Sequence, residues 1–216
     1  MMIKNIFQLI PRKNGKVLTY NPFKLFPLLI DSYRFGTKYG SDLKLNTGDK
    51  SPDFNLPNLY GKNVNLYSSL EQTKVILIFY RGGWCPFCNL QLRQYQNMTS
   101  QFNEYGAKII AISPEIPDRE LTDDEKTDLK FEVLSDVGNS VAKKFTGILK
   151  YEGKSAERLR ELGIDLNELN QSESREVPIP AVFIIDQNRK IIFAKSEGGD
   201  YKKRVEPQEV LALLKG

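Results

Sequence analysis

The sequence predicts an α/β protein, in which strands and helices alternate along the chain. From Leu45 onward, short apolar runs alternate with longer segments of helical periodicity. The run KVILIFY at 74–80 is continuously apolar, which is typical of a strand covered on both faces. We therefore expect this strand to lie at the centre of the sheet.

Two amphipathic stretches precede this region, and residues 1–44 are predicted to form a basic helical extension. Residues 1–45 contain eight lysines and arginines but only two acidic residues. The apolar stripes are predicted to dock on the body of the protein or on a second subunit, as in a homodimer; the alternative is contact with an anionic membrane surface. The stripes consist of Ile3, Ile6, Phe7 and Ile10, and then of Phe26, Leu29, Ile30 and Tyr33.

Residues 45–216 are predicted to form one domain. A helix of about four turns should follow the cysteines and end before Gly106. A polar helical insertion at 150–176 carries a leucine stripe and is expected to form a rim over the site. The other predicted elements are strands at 107–113 and 131–136, helices within 114–130 and 138–147, a β-hairpin at 179–195 and a closing helix from about Pro207.

The composition excludes several classes of function. Histidine is absent, which removes Cys–His and Ser–His nucleophile pairs and the commonest metal ligand. A cysteine-type zinc site needs four ligands, but the chain has only two cysteines. Residues 46–216 carry 23 positive and 25 negative side chains, which argues against nucleic-acid binding.

Three features of the sequence indicate a cytoplasmic protein. The longest early apolar run, LFPLLI at 25–30, is far shorter than a bilayer-spanning helix and is interrupted by a proline. The first residues lack the continuous apolar segment of a secretory signal. With only two cysteines, the chain is also suited to a reducing compartment.

The two cysteines, Cys85 and Cys88, are the candidate catalytic residues. The predicted strand at 74–80, the Gly82-Gly83 bend and the following helix place both sulfurs at a helix N-terminus, where the dipole stabilises a thiolate. Residues three apart share one helical turn, so the sulfurs can close a disulfide. We expect at least one sulfur, Cys85 foremost, to be exposed to small oxidants.

Two purely structural interpretations of the cysteines are alternatives to a redox role. A purely structural disulfide across so short a loop would remove little entropy from the unfolded chain. Two inert buried thiols are the other alternative, because free cysteines are commonly buried.

Several separate segments resemble the peroxiredoxin (alkyl hydroperoxide reductase and thiol-specific antioxidant) superfamily, in its branch with a thioredoxin-style Trp-Cys-x-x-Cys. The resemblance covers about 48–216 and implies a thioredoxin-like, three-layer fold with a central mixed β-sheet flanked by helices, acting without a cofactor. The segments are GDKSPDFNLPNLYGKNVNLYSSL, FYRGGWCPFCNLQLRQYQ, AISPE, FEVLSD and IPAVFIIDQNRKIIF.

The resemblance also suggests roles for single residues. In the family pattern Pro-x-x-x-Thr-x-x-Cys, Arg81 stands at the proline, Cys85 at the threonine and Cys88 at the peroxidatic cysteine. Pro180 replaces an arginine that many members carry and stands where thioredoxins have a cis-proline. Arg81 is either a replacement hydrogen-bond donor or a surface charge.

Trp84, beside the cysteines, forms an apolar wall for partner docking or packs in the core.

The favoured function is a thiol peroxidase that reduces hydroperoxides through a Cys85/Cys88 dithiol–disulfide cycle, reset by thioredoxin or a low-molecular-weight thiol. By resemblance Cys88 attacks, whereas by helix geometry Cys85 is the more exposed sulfur, so the order stays open. The alternative is a thiol–disulfide oxidoreductase in which Cys85 attacks and Pro180 lines the docking groove. A redox-inert scaffold that binds a partner through its basic extension is a third hypothesis.

Overall fold

The computed structural model describes residues 12–13, 16–17, 30–31, 33–116, 129–200 and 202–216. In chain order the strands are β1 (Arg12–Lys13), β2 (Lys16–Val17), β3 (Asn55–Pro57), β4 (Asn63–Asn65), β5 (Lys74–Phe79), β6 (Ala107–Ser113), β7 (Glu132–Ser135), β8 (Ile148–Lys150), β9 (Glu176–Pro178), β10 (Ala181–Ile185) and β11 (Ile191–Ser196).

The helices flank these strands and are mostly short. They are α1 (33–38), α2 (Leu66–Leu70), α3 (Pro86–Asn97), α4 (Thr99–Glu104), α5 (Ala142–Phe145), α6 (Lys154–Glu161), α7 (Leu166–Leu169) and α8 (Pro207–Lys215), with a 3₁₀ turn at Val137–Asn139. None of the helices in these described ranges has the length and apolarity needed to cross a bilayer.

A mixed sheet of five strands forms the centre of the molecule, in the order β11-β10-β5-β6-β7. Strand β5 is the middle strand: it runs parallel to β6 and antiparallel to β10. The prediction of a central strand at 74–80 is confirmed, and its apolar run has a physical reason, since both of its faces are buried.

The side chains of β5 alternate between two hydrophobic cores, one on each face of the sheet. Ile76 and Ile78 pack in the core that also contains both cysteines and residues of α3, α6 and α8. Leu77 and Phe79 pack on the opposite face with Phe145 of α5 and Phe183 of β10. Helices therefore cover both faces, and the three layers that the sequence predicts are present.

The predicted four-turn helix after the cysteines is interrupted at Met98. The break divides it into α3 and α4, and the Met98 backbone is non-helical, at φ −104° and ψ 4°. The Thr99 hydroxyl donates to the Tyr95 carbonyl at 3.4 Å, a bond of the kind that bends helices. An apolar stripe that continues across Met98 conceals this break in the sequence.

The described part of the second N-terminal stretch is helical, but the predicted buried face is wrong. Ile30 and Tyr33, two residues of the predicted docking stripe, are 39% and 73% exposed, whereas Asp31 is only 3% exposed. Asp31 faces the body because Arg158 donates to it at 2.5 Å. Phe35, one turn later, is buried beside it. The first stripe, and Phe26 and Leu29 of the second, lie outside the described residues.

The insertion at 150–176 packs onto the body. Its predicted leucine stripe is buried and joins the core that contains the cysteines. The Ile116 amide, after β6, donates to the Leu169 carbonyl at 2.9 Å. The β10–β11 hairpin and α8, which begins at Pro207, agree with the sequence prediction; most of the helix predicted within 114–130 lies outside the described residues.

We expect Leu77→Ala to lower the free energy of unfolding by about 2–5 kcal/mol, because truncation leaves a cavity around a fully buried side chain. Leu213→Ala is the matched control: Leu213 is 49% exposed on α8, so its effect should stay within about 1 kcal/mol. Urea unfolding followed by circular dichroism measures both. Equal losses in the two variants would contradict the assignment of the core.

Candidate active site

Both cysteines lie where β5 gives way to α3. After the strand, a turn closed by the Cys85 amide and the Gly82 carbonyl (3.2 Å) leads into the helix. Cys85 is the N-cap residue, with φ −89° and ψ 110°, and Pro86 opens the helix. Cys88 lies in the first turn, where the helix dipole favours negative charge. The predicted position of the sulfurs at a helix N-terminus is confirmed.

Gly82 allows the chain to make this turn. Its φ of 141° is unfavourable for residues with a side chain, and an added Cβ would lie 2.5 Å from Nε1 of Trp84 and 2.8 Å from the Glu115 carboxylate. The neighbouring Gly83 amide donates to that same carboxylate at 2.5 Å. Only glycine fits at position 82 without displacing the loop.

The two thiols are free and buried. Cys85 is 3% exposed and Cys88 is 0% exposed, so the expectation of an exposed sulfur is wrong. Both cysteines belong to the hydrophobic core that contains Ile76 and Ile78. A side chain from the loop before α8 also lies against them: Nη2 of Arg204 lies 3.4 Å from the Cys88 sulfur and 3.8 Å from the Cys85 sulfur. A guanidinium therefore covers the pair.

Arg204 favours an ionised Cys88. Burial alone would raise the pKa of the Cys88 thiol, but the hydrogen bond from Cys85 and the nearby charges of Arg204 and Arg81 hold that pKa well below its ordinary value. These contributions act together on a sulfur that lies in the first turn of α3, near the positive end of the helix dipole. Cys88 is therefore the thiolate of the pair.

Cys85 has the opposite character. Burial, donation of its own S–H to Cys88 and the negative charge that forms there raise the pKa of Cys85 well above its ordinary value. The two opposite shifts therefore favour a reduced pair in which Cys88 is ionised and Cys85 keeps its proton.

Tyr80 is a neutral neighbour of the Cys88 thiolate. Burial raises the pKa of its phenol; a hydrogen bond with Ser113 acts in the opposite direction, and the charges of the Glu115 carboxylate and of Cys88 add to the increase. The phenol therefore keeps its proton and adds no second negative charge to the site.

Arg81 is fully buried, so the interpretation of this residue as a surface charge is wrong. Its Nη2 donates to the Gly199 carbonyl at 2.6 Å. This bond orients the guanidinium inside the site, and its charge lowers the pKa of both thiols. Arg81 thus acts on the sulfurs through its charge.

Trp84 and Pro180 are both buried. Trp84 packs in the core that contains the cysteines, with its ring 5.9 Å from that of Tyr151 at an interplanar angle of 78°. Pro180 directly precedes β10, whose Ala181 pairs with Phe79, so it lies beside the end of β5. The peptide bond before Pro180 is trans, unlike that of the thioredoxin cis-proline.

Sequence reasoning missed Arg204. It lies 116 residues from Cys88 along the chain and follows Lys202 and Lys203, so no local pattern distinguishes it from an ordinary basic surface residue. The one available signal is Gly198-Gly199, since paired glycines often mark a close approach of two backbones.

The AhpC/TSA family model matches residues 47–194, which is more than half of the chain. The chain belongs to the AhpC/TSA family. Among curated relatives, a "Putative peroxiredoxin bcp" of Haemophilus influenzae is 30% identical over 126 residues, covering 57% of this chain and 81% of the relative. The relative of the same name from Buchnera aphidicola is 36% identical over 101 residues, covering 47% of this chain. That match spans 63% of the Buchnera protein, which is less than two thirds of its length.

Solved structures of the family share the fold. Peroxidoxin BcpB from Mycobacterium tuberculosis superposes with a TM-score of 0.59 at 24% identity, covering 79% of this chain and 97% of that one. AhpC from Enterococcus faecalis gives a TM-score of 0.56 at 16% identity, covering 79% and 92%. The thioredoxin-like fold predicted for this AhpC/TSA chain is thereby confirmed.

We expect one thiolate per reduced chain to persist at pH values well below about 8.5, the usual pKa of a free thiol. Its ultraviolet absorbance should disappear as the pH falls through the Cys88 pKa, because the thiolate is then protonated. Cys88→Ser should abolish this titration, whereas Cys85→Ser should keep it, since a hydroxyl can replace the donating S–H.

Arg204→Met should shift the same titration to higher pH, because methionine fills similar space but brings no charge. Arg160→Met, on the exposed part of α6, is the control and should leave it unchanged. A Cys88 titration that does not move in Arg204→Met would contradict the role given to the guanidinium.

Proposed function

We propose that this chain is a thiol peroxidase in which the Cys88 thiolate attacks hydroperoxides and Cys85 resolves the product. The observation that carries the proposal is the position of the Arg204 guanidinium, whose Nη2 lies 3.4 Å from the Cys88 sulfur and 3.8 Å from the Cys85 sulfur, where its charge favours an ionised Cys88. Membership of the AhpC/TSA family supports this chemistry.

In the first step, the Cys88 sulfur attacks the distal oxygen of the hydroperoxide. The S–O bond forms as the O–O bond breaks, which leaves a sulfenic acid on Cys88 and an alkoxide as leaving group. The charge of Arg204 stabilises that alkoxide; buried hydrogen-bond donors of this kind commonly contribute roughly 10²- to 10³-fold to a rate. Nε of Arg204 is buried without a partner among the described residues and is free to donate to the leaving oxygen.

In the second step, Cys85 closes the disulfide. The alkoxide takes the Cys85 proton and leaves as the alcohol, so Cys85 becomes a thiolate. That thiolate attacks the sulfenic sulfur, and hydroxide leaves and is protonated by solvent to give water. Two thiols have then been oxidised to one disulfide, and one hydroperoxide has been reduced to an alcohol and water.

A thioredoxin-like dithiol or a low-molecular-weight thiol is the proposed reductant. The disulfide carries no negative charge, so oxidation weakens the attraction that keeps Arg204 over the sulfurs and gives the reductant access to them. The exchange returns both electrons to the sulfurs. A reducing compartment such as the cytoplasm would supply this donor.

The alternative, a thiol–disulfide oxidoreductase with Cys85 as nucleophile, has less support. Attack on a protein disulfide needs an ionised and accessible sulfur. Cys85 is buried, and its raised pKa keeps it protonated. A small peroxide suits the covered site better than a bulky protein substrate.

We expect stopped-flow mixing of the reduced protein with hydrogen peroxide to consume two thiols per peroxide. Cys85→Ser should still react, but with loss of a single thiol and accumulation of a sulfenic acid that dimedone traps, because no resolving thiol remains. Cys88→Ser should react no faster than a free thiol.

A second mixing experiment uses a protein disulfide in place of peroxide. The proposal predicts that this reaction is much slower than the peroxide reaction in the wild-type chain. Peroxide oxidation no faster than that of a free thiol, or peroxide reactivity that survives in Cys88→Ser, would overturn it.

A further inference from the structure

Arg204 contacts the cysteines from the loop between β11 and α8. This loop is held in place by residues outside the turn that joins β5 to α3. Nη1 of Arg204 donates to the Asp200 carbonyl at 3.0 Å. Asp200 follows Gly199, whose carbonyl accepts the hydrogen bond from Arg81. The position of the guanidinium thus depends on where the backbone of residues 198–200 lies.

The N-terminal segment contacts this loop. We use the name N-terminal brace for residues 33–39, the helix α1 together with Tyr39. The Gly199 amide donates to the Tyr39 carbonyl at 2.9 Å. A Cβ added at Gly199 would lie less than 3.0 Å from the Phe35 carbonyl group, and one added at Gly36 would lie 3.2 Å from the Asp200 Cβ. The two backbones therefore meet with no space between them.

The brace is anchored on its other side to the insertion. The buried Asp31, just before it, accepts from Arg158 of α6. The Phe35 ring packs edge-on against Tyr151 at 5.0 Å, and Tyr151 in turn packs against Trp84, the residue before Cys85. These contacts explain why the buried face of this segment carries Asp31 and Phe35 rather than the predicted apolar stripe.

We propose that the N-terminal brace is a positioning element of the active site, which holds the 198–200 loop so that Arg204 lies over Cys88. The catalytic importance of the brace rests on the proposed function. Its effect on the Cys88 thiolate does not: the brace controls how strongly the Arg204 guanidinium acts on that thiolate.

The test is a double-mutant cycle between Gly199→Ala and Arg204→Met, with the Cys88 thiolate titration as readout. Gly199 has no positive φ, so alanine strains only the contact with the brace. In the wild-type background, Arg204→Met should shift the titration to higher pH. In the Gly199→Ala background the same substitution should produce a clearly smaller shift, because Arg204 is already displaced. The peroxide rate of Gly199→Ala should fall roughly 10- to 100-fold.

Gly40→Ala is the matched control, since it adds the same methyl group one residue after the brace, where a Cβ meets no atom within 4 Å. It should leave the Arg204→Met shift unchanged. Circular dichroism checks that each variant is folded. Should Gly199→Ala fail to fold, Asp31→Asn, which weakens the anchor to Arg158, takes its place in the same cycle and should give the same reduced shift.

An Arg204→Met shift of equal size in the wild-type and brace-variant backgrounds would overturn the inference. The titration needs no peroxide, so a chain without peroxidase activity would still decide the question. Failure of the brace and failure of the proposed function are therefore distinguishable.

Discussion

The contact between the Arg204 guanidinium and the Cys88 sulfur is the interaction on which the site depends. An unpaired thiolate in a buried position would be strongly disfavoured, because burial removes the water that solvates its charge. The Cys85 S–H, Arg204 and Arg81 together offset that penalty at Cys88. The same arrangement keeps Cys85 protonated, so one set of contacts gives two chemically identical side chains different roles.

The α/β framework holds Arg204 and Cys88 in fixed positions relative to each other. Strand β5 is held on both sides by β6 and β10, and its end fixes the turn in which Gly82 directs the chain into α3. The loop that follows β11 brings Gly199 to Arg81, and Arg204 to the sulfurs. Rigid sheet positions therefore support both the Cys88 sulfur and the cation beside it, while the segments that hold these groups lie at the ends of strands.

The sequence predicts those parts of the molecule that depend on local patterns. The apolar run of β5, the proline that opens α8 and the helix behind the cysteines all follow from periodicity and from residues typical of helix ends. The break at Met98 was not predictable, because the apolar pattern continues across it without a glycine or proline to mark the end of a helix. Asp31 and Arg204 were missed for a different reason: each has its role through a partner more than 100 residues away.

The residues around the cysteines come from widely separated parts of the sequence. Cys88 lies before the midpoint, the brace lies near the beginning, and Arg204 lies 12 residues before the last residue, Gly216. A ribosome adds residues in order, so a growing chain exposes both thiols long before the cation that ionises one of them has been synthesised. During translation Cys88 therefore lacks the Arg204 charge that helps to lower its pKa, and this contribution arises only when the segment that carries Arg204 docks.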